Sequence, residues 1–115
     1  MAELDVSERQ AGDVTILDLT GEVRLGDSSV ALRDSTRKLA DGGKKKILLN
    51  LANVKYIDST GIGELIASYT TVTRQGGQLK LLNLTDRIQN LLVITKLLTV
   101  FDSYDNEAEA LKSFQ

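Results

Sequence analysis

Hydrophobic and polar positions change their period several times along the chain, and the changes mark its elements. In Val14-Thr15-Ile16-Leu17-Asp18-Leu19-Thr20, the residues Val14, Ile16 and Asp18 alternate with Thr15, Leu17 and Leu19, the two-residue period of a strand. Residues 4 to 10 lie across Ala11-Gly12-Asp13 from that run, so the chain is expected to open with a β-hairpin. Gly21-Glu22-Val23-Arg24-Leu25-Gly26, with a glycine at each end, is expected to be a loop. Asp27 or Ser28 is then placed to cap a helix. Leu32, Ser35, Thr36, Leu39 and Ala40 return at helical spacing, Arg33, Asp34, Arg37 and Lys38 occupy the other side, and Gly42-Gly43 closes the element.

Ile47-Leu48-Leu49 with Leu51 is apolar on both faces, as a strand covered on two sides must be. Val54-Lys55-Tyr56-Ile57 reads as a short extended piece leading into a helix at Asp58-Ser59-Thr60-Gly61-Ile62-Gly63-Glu64. Ile62, Leu65, Ile66, Tyr69, Val72 and Thr73 give that helix one buried face, leaving Glu64, Ser68, Thr71 and Arg74 on the exposed side. Gly76-Gly77 ends it, and Gln78-Leu79-Lys80-Leu81-Leu82 makes the next strand, with Leu79 and Leu81 on one side. Asn83 to Thr85 leads into a helix from Asp86 marked by Ile88, Leu91, Leu92 and Thr95. Leu97-Leu98-Thr99-Val100-Phe101 reads as a short extended return. Asp102-Ser103-Tyr104-Asp105 is expected to cap a last helix with Ala108, Leu111 and Phe114 inward. The alternation predicts an α/β fold: a single domain over residues 1–115, with a mixed sheet of four to five strands, about four helices and right-handed crossovers.

Composition narrows the chemistry. With 42% apolar and 26% charged residues, the 115-residue chain has the balance of one ordinary globular domain, and with only 4% aromatics its interior must be filled by Leu, Ile and Val. The absence of Cys and His excludes a thiol nucleophile, a histidine-assisted triad, disulfides and the usual imidazole or thiolate metal sites, so no metal, cofactor or catalytic residue is assigned. Ser59 with Lys55 as base lacks any oxyanion or base partner at a recognisable spacing, which argues against an enzyme. Gly61-Ile62-Gly63 lacks the rest of a nucleotide-binding fingerprint. A net charge of -2 speaks against nucleic acid as a partner, and Lys44-Lys45-Lys46 reads as a solvated turn that guards a hydrophobic strand. No apolar run approaches the roughly 18 residues of a membrane span, and Met1-Ala2-Glu3-Leu4-Asp5 has neither the positive start nor the apolar core of a signal peptide. The expectation is a cytoplasmic protein without direct membrane insertion.

What chemistry remains gathers at the strand-helix junction. The first N–H groups of a helix have no partner within it, and Asp58, Ser59 or Thr60 could each cap them. The same geometry leaves a hydroxyl at a positively polarised helix end, where an added phosphate is tolerated. On the residues alone, Ser59 as cap and Ser59 as phosphoacceptor both stand.

Asn50-Leu51 followed by Ile57-Asp58-Ser59-Thr60-Gly61-Ile62-Gly63, continuing through Gln75-Gly76-Gly77 to Leu97-Leu98, resembles the signature of the STAS family, the bacterial anti-sigma factor antagonists. The resemblance covers nearly the whole chain. It implies that an anti-sigma factor serine kinase phosphorylates Ser59 and that the unmodified chain sequesters this kinase, releasing a sigma factor for transcription. A separate phosphatase would restore the serine. The implied partner-binding surface is Asp58, Ser59, Thr60, Gly61, Gly63, Glu64 and Arg24, and a homodimer is left open. Where the family commonly carries Gly-Glu-Leu-Asp, this chain has Gly21-Glu22-Val23-Arg24, an arginine in place of an acid, which bears on partner choice. That departure also leaves a second reading, a STAS subunit of a transport or lipid-trafficking complex without a phosphoserine switch.

Overall fold

The computed structural model describes residues 4–114. Strands β1 (Leu4–Ala11) and β2 (Val14–Val23) form the expected hairpin, turning at Gly12, whose φ of +61° suits a residue without a side chain. Helix α1 (Asp27–Asp41) leads to β3 (Lys46–Ile57), then α2 (Ser59–Arg74), β4 (Gln78–Leu82) and α3 (Asp86–Ile94). A 3-10 turn (Leu98–Val100), β5 (Ser103–Tyr104) and α4 (Glu107–Lys112) complete the described chain. The five strands lie in the order β1-β2-β3-β4-β5, antiparallel at the hairpin and parallel elsewhere, so the sheet is mixed as predicted.

Burial follows the strand alternation. Leu17, Leu19, Leu49, Leu51, Leu79 and Leu81 point to one face, where they pack with Leu32 and Leu39 of α1, Leu65 and Val72 of α2, and Ile88 and Leu92 of α3. Val14, Ile16, Leu48 and Leu82 point to the other, covered by Ala110 and Phe114 at the end of the chain. Each such fully buried side chain stabilises the fold by about 1.5–3 kcal/mol relative to exposure. Three helices therefore cover one face and α4 covers part of the other.

Several boundaries differ from the sequence expectation, each for a tertiary reason. Gly21-Glu22-Val23 is strand, not loop, because the β3 run predicted as two pieces is one long strand that keeps pairing with β2 as far as Val23 and Ile57. The register shifts between Asp18 and Thr20 and again between Gly21 and Glu22 absorb the mismatch. Neither Asp27 nor Ser28 caps α1; Gly26 holds that position with no side-chain bond. Residues 97–101 contain the 3-10 turn, and the extended return is displaced to Ser103–Tyr104. Asn106, not the preceding Asp-Ser-Tyr-Asp, caps α4 by accepting from the Glu109 N–H at 3.0 Å, which turns Ala110 inward and leaves Ala108 exposed. On α2, Thr73 is exposed, while Ser68 is buried against α1, its hydroxyl 2.8 Å from that of Thr36.

Candidate functional site

The site is built where β2 and β3, running parallel, end side by side. Asp58 follows β3 in an extended conformation, and its N–H donates to the Val23 carbonyl at 3.2 Å, the last rung between the two strands. Its carboxylate does two jobs. Oδ1 accepts from the Gly61 N–H at 2.9 Å, capping α2, and Oδ2 accepts from the Leu25 N–H at 3.2 Å, tying down the loop after β2. Of the three candidate caps, Asp58 is therefore the one used.

Ser59, the first residue of α2, is consequently released from capping. It is exposed, and its hydroxyl makes no hydrogen bond among the described residues. Thr60 is half-exposed beside it. The two glycines part company. A Cβ on Gly61 would lie 2.6 Å from both Ile57 Cγ1 and the Val23 carbonyl oxygen, so the helix start can lie against the strand ends only without a side chain there. A Cβ on Gly63 would meet nothing within 4 Å, and the residue is exposed. Glu64 is half-buried and faces Arg33 of α1 at 3.7 Å, an ion pair between the two helices.

Arg24, in the loop after β2, is held by neighbouring side chains. Its Nη2 lies 3.0 Å from Glu22 Oε2, and its guanidinium carbon lies 4.3 Å from the centre of the Tyr56 ring. Arg87, from the first turn of α3, places its guanidinium carbon 4.1 Å from the same ring centre. Tyr56 and Arg87 were not among the residues singled out from the sequence. No local motif joins positions 56 and 87; only the register that pairs Glu22 with Tyr56 and the start of α3 bring them together. Leu25 was also missed: its side chain is 78% exposed while its N–H is held by Asp58, and the signal for it was a bulky apolar residue inside a polar, glycine-flanked stretch.

Chemically, the arrangement offers a hydroxyl and little else. Both carboxylate oxygens of Asp58 are occupied by backbone N–H groups, and among the described residues no base contacts Ser59. Among the described residues there is also no cluster of three acidic, His or Cys ligands for a metal, and no helix is long and apolar enough to cross a membrane.

Comparisons with known proteins agree with this architecture. A family model described as STAS domain matches residues 5–110. The anti-sigma-B factor antagonist of Bacillus subtilis (strain 168) is 33% identical over 99 residues, spanning 86% of this chain and 89% of its own. An anti-sigma factor antagonist from Mycobacterium paratuberculosis superposes with a TM-score of 0.85 at 17% identity, covering 96% of this chain and 93% of that one. The Bacillus cell fate determinant SpoIIAA in its phosphorylated form superposes with a TM-score of 0.75, also at 17% identity, covering 96% of this chain and 100% of that one. At such identities the two structures speak for the fold, whereas the family match and the Bacillus subtilis relative extend over most of the sequence. On that ground the chain belongs to the STAS domain family.

Proposed function

We propose that the chain is an anti-sigma factor antagonist whose binding is switched at Ser59. The observation that carries this reading is the division of labour at the start of α2: Asp58 caps the helix, and the adjacent hydroxyl is left exposed and unbonded. The names of the relatives support the function, and a structural neighbour solved in a phosphorylated form supports the kind of switch.

In this reading the unmodified chain docks an anti-sigma factor kinase through the surface around Ser59, Thr60, Gly63, Glu64 and Arg24, and a sigma factor is released. Asp58 and Gly61 act from beneath that surface by holding its shape. The kinase aligns ATP so that Ser59 Oγ attacks the γ-phosphorus, the bond to the bridging oxygen breaks, and ADP leaves. The hydroxyl proton passes to a base on the kinase. The product adds about -1.5 to -2 charges directly beside Asp58. An interface fitted to a neutral hydroxyl must then desolvate a dianion, at a cost of several kcal/mol, and releases the chain without refolding it. A phosphatase resets the serine. The protein works in the cytoplasm as a binding regulator and not as an enzyme.

The test is co-purification from the native cell followed by intact mass and site mapping. A kinase-like partner together with an added phosphate on Ser59 is the expected result. Capture of a membrane transport complex with Ser59 unmodified would replace this reading with that of a transport or lipid-trafficking subunit.

A further inference from the structure

Among the described residues, Leu25 and Ile94 are the two large apolar side chains left most open, 78% and 75% exposed. Ile94 ends α3, whereas Leu25 stands in the loop that meets the start of α2. That loop is fastened on both sides of Leu25. Before it, the buried Ser28 hydroxyl bonds both the N–H and the carbonyl of Arg24, at 2.8 and 3.0 Å. After it, the Gly26 carbonyl accepts from the Ser29 hydroxyl at 2.9 Å and from the Val30 N–H at 3.2 Å. Leu25 itself donates its N–H to Asp58 Oδ2 at 3.2 Å. The backbone is thus held at three successive residues, and the leucine among them is turned to water. Water is an unfavourable surrounding for that side chain, so the fold keeps an apolar group outside at a fixed point.

We propose that Leu25 is the apolar anchor of the docking surface: the protein that covers Ser59 receives this leucine in an apolar pocket of its own. The inference rests on the reading that Ser59 faces a partner, and it adds the chemistry by which that partner is held. The connection is short, because Leu25 meets Asp58 through one hydrogen bond and Asp58 precedes Ser59 in the chain. A stable interface covers about 20–30 residues on each side, so a partner seated on Ser59 reaches Leu25 within the same footprint. Aliphatic side chains that fill a pocket serve as anchors in such footprints, and one whose backbone is ordered beforehand loses little freedom on docking. Full burial of a leucine corresponds to about ten- to a hundredfold in affinity. The two neighbours then divide the work. The leucine supplies hold on the partner, and the hydroxyl decides whether the partner can close over it.

The experiment places the photocrosslinker p-benzoylphenylalanine at position 25 of the full chain in the native cell, and separately at position 94 as a control of similar exposure. Illumination is expected to join position 25, and not position 94, to the kinase-like partner recovered by co-purification. In a titration with that purified partner, Leu25→Ser should weaken binding by about tenfold or more. Its urea midpoint should stay that of the parent, since the side chain is open to water. Leu25→Met, which keeps an apolar side chain of similar volume, should bind nearly as the parent does. No protein joined to position 25, equal yields from positions 25 and 94, or equal binding by Leu25→Ser and the parent overturns the anchor. Equal binding by Leu25→Ser while Ser59→Asp is weakened removes the anchor and leaves the switch standing. The reverse, with Leu25→Ser weakened and Ser59→Asp binding as the parent does, keeps the anchor and removes the switch.

Discussion

Helices α1 and α2 begin at the same end of the sheet, one after β2 and one after β3, and each has serine in its first turns. They use it in opposite ways. At α1 the cap is Gly26, which has no side chain to give, so the serines themselves fold the loop. Ser28 Oγ accepts from the Arg24 N–H at 2.8 Å and donates to the Arg24 carbonyl at 3.0 Å, and Ser29 Oγ donates to the Gly26 carbonyl at 2.9 Å. Both are buried. At α2 the carboxylate of Asp58 satisfies the helix and the neighbouring loop at once, and Ser59 has nothing left to hold. The hydroxyl at the start of α2 is left exposed and unbonded because another group has taken over the backbone's demands there.

The largest effect that this contrast predicts is functional. Ser59→Asp, placing a charge at the open hydroxyl, should weaken partner binding by about a thousandfold, roughly 4 kcal/mol, in a titration with the captured partner. Ser59→Ala should bind normally and accept no phosphate. Ser28→Ala should leave both partner binding and the phosphate mass shift unchanged; it removes two hydrogen bonds of a buried hydroxyl and lowers stability by about 1–2 kcal/mol in urea unfolding. Equal binding by Ser59→Asp and the parent chain would end the idea that the two starts differ in function.

Next in size is the pair of glycines. Gly61→Ala must push apart Ile57 and the Val23 carbonyl, and it should destabilise the fold by about 1–3 kcal/mol. Gly63→Ala meets open space in a helix interior, where alanine is favoured by about 1 kcal/mol, so it should be neutral or stabilising. Denaturant midpoints moving in opposite directions would confirm that one glycine serves the chain's own packing and the other does not.

A smaller effect attaches to the cap itself. Asp58→Ala leaves the Gly61 and Leu25 N–H groups unpaired and should cost about 1 kcal/mol, whereas Asp58→Asn keeps a good capping oxygen and should cost less. Hydrogen exchange at the Gly61 and Leu25 amides should accelerate together in Asp58→Ala. If only Gly61 responds, the two starts are not coupled through this carboxylate.

How much of this could be read in advance followed the reach of the interactions. Ile47 to Leu51, apolar on both sides, announced the central strand, and the spacing of Leu32 and Leu39 announced α1, because burial there repeats along a single element. The Asp58-Ser59 junction was legible because cap, hydroxyl and close-packed glycine are contiguous. What escaped depends on partners far away in sequence. Gly21 to Val23 are strand only because β3 extends to meet them, Ser68 is inside only because Thr36 faces it, and Arg24 sits on Tyr56 beside Arg87 only through pairing across the sheet. An isolated hydroxyl or arginine in a pattern of polar residues carries no mark of such a partner.

The smallest predicted effect is a control that touches neither helix start. On the less covered face of the sheet, Asp18 accepts from Arg9 Nε at 2.5 Å and from Asn50 Nδ2 at 2.8 Å, and Arg9 also bonds Glu107 at 2.8 Å. The Arg9 hydrogen bonds, followed by that of Asn50, hold the Asp18 carboxyl below the usual carboxylate range against the opposing pull of desolvation. A carboxyl lowered in the folded state favours folding fully at pH values above its unfolded pKa near 4, and the contribution fades as pH falls through the lower native value. Asp18→Asn should therefore be somewhat less stable than the parent at neutral pH and lose less stability between about pH 5 and pH 2, when urea midpoints are compared across that range. Capture of the partner and phosphate uptake at Ser59 should be unaffected at neutral pH. If instead Asp18→Asn abolished either one, the separation between a structural polar network on one side of the sheet and a functional hydroxyl at its end would have to be abandoned.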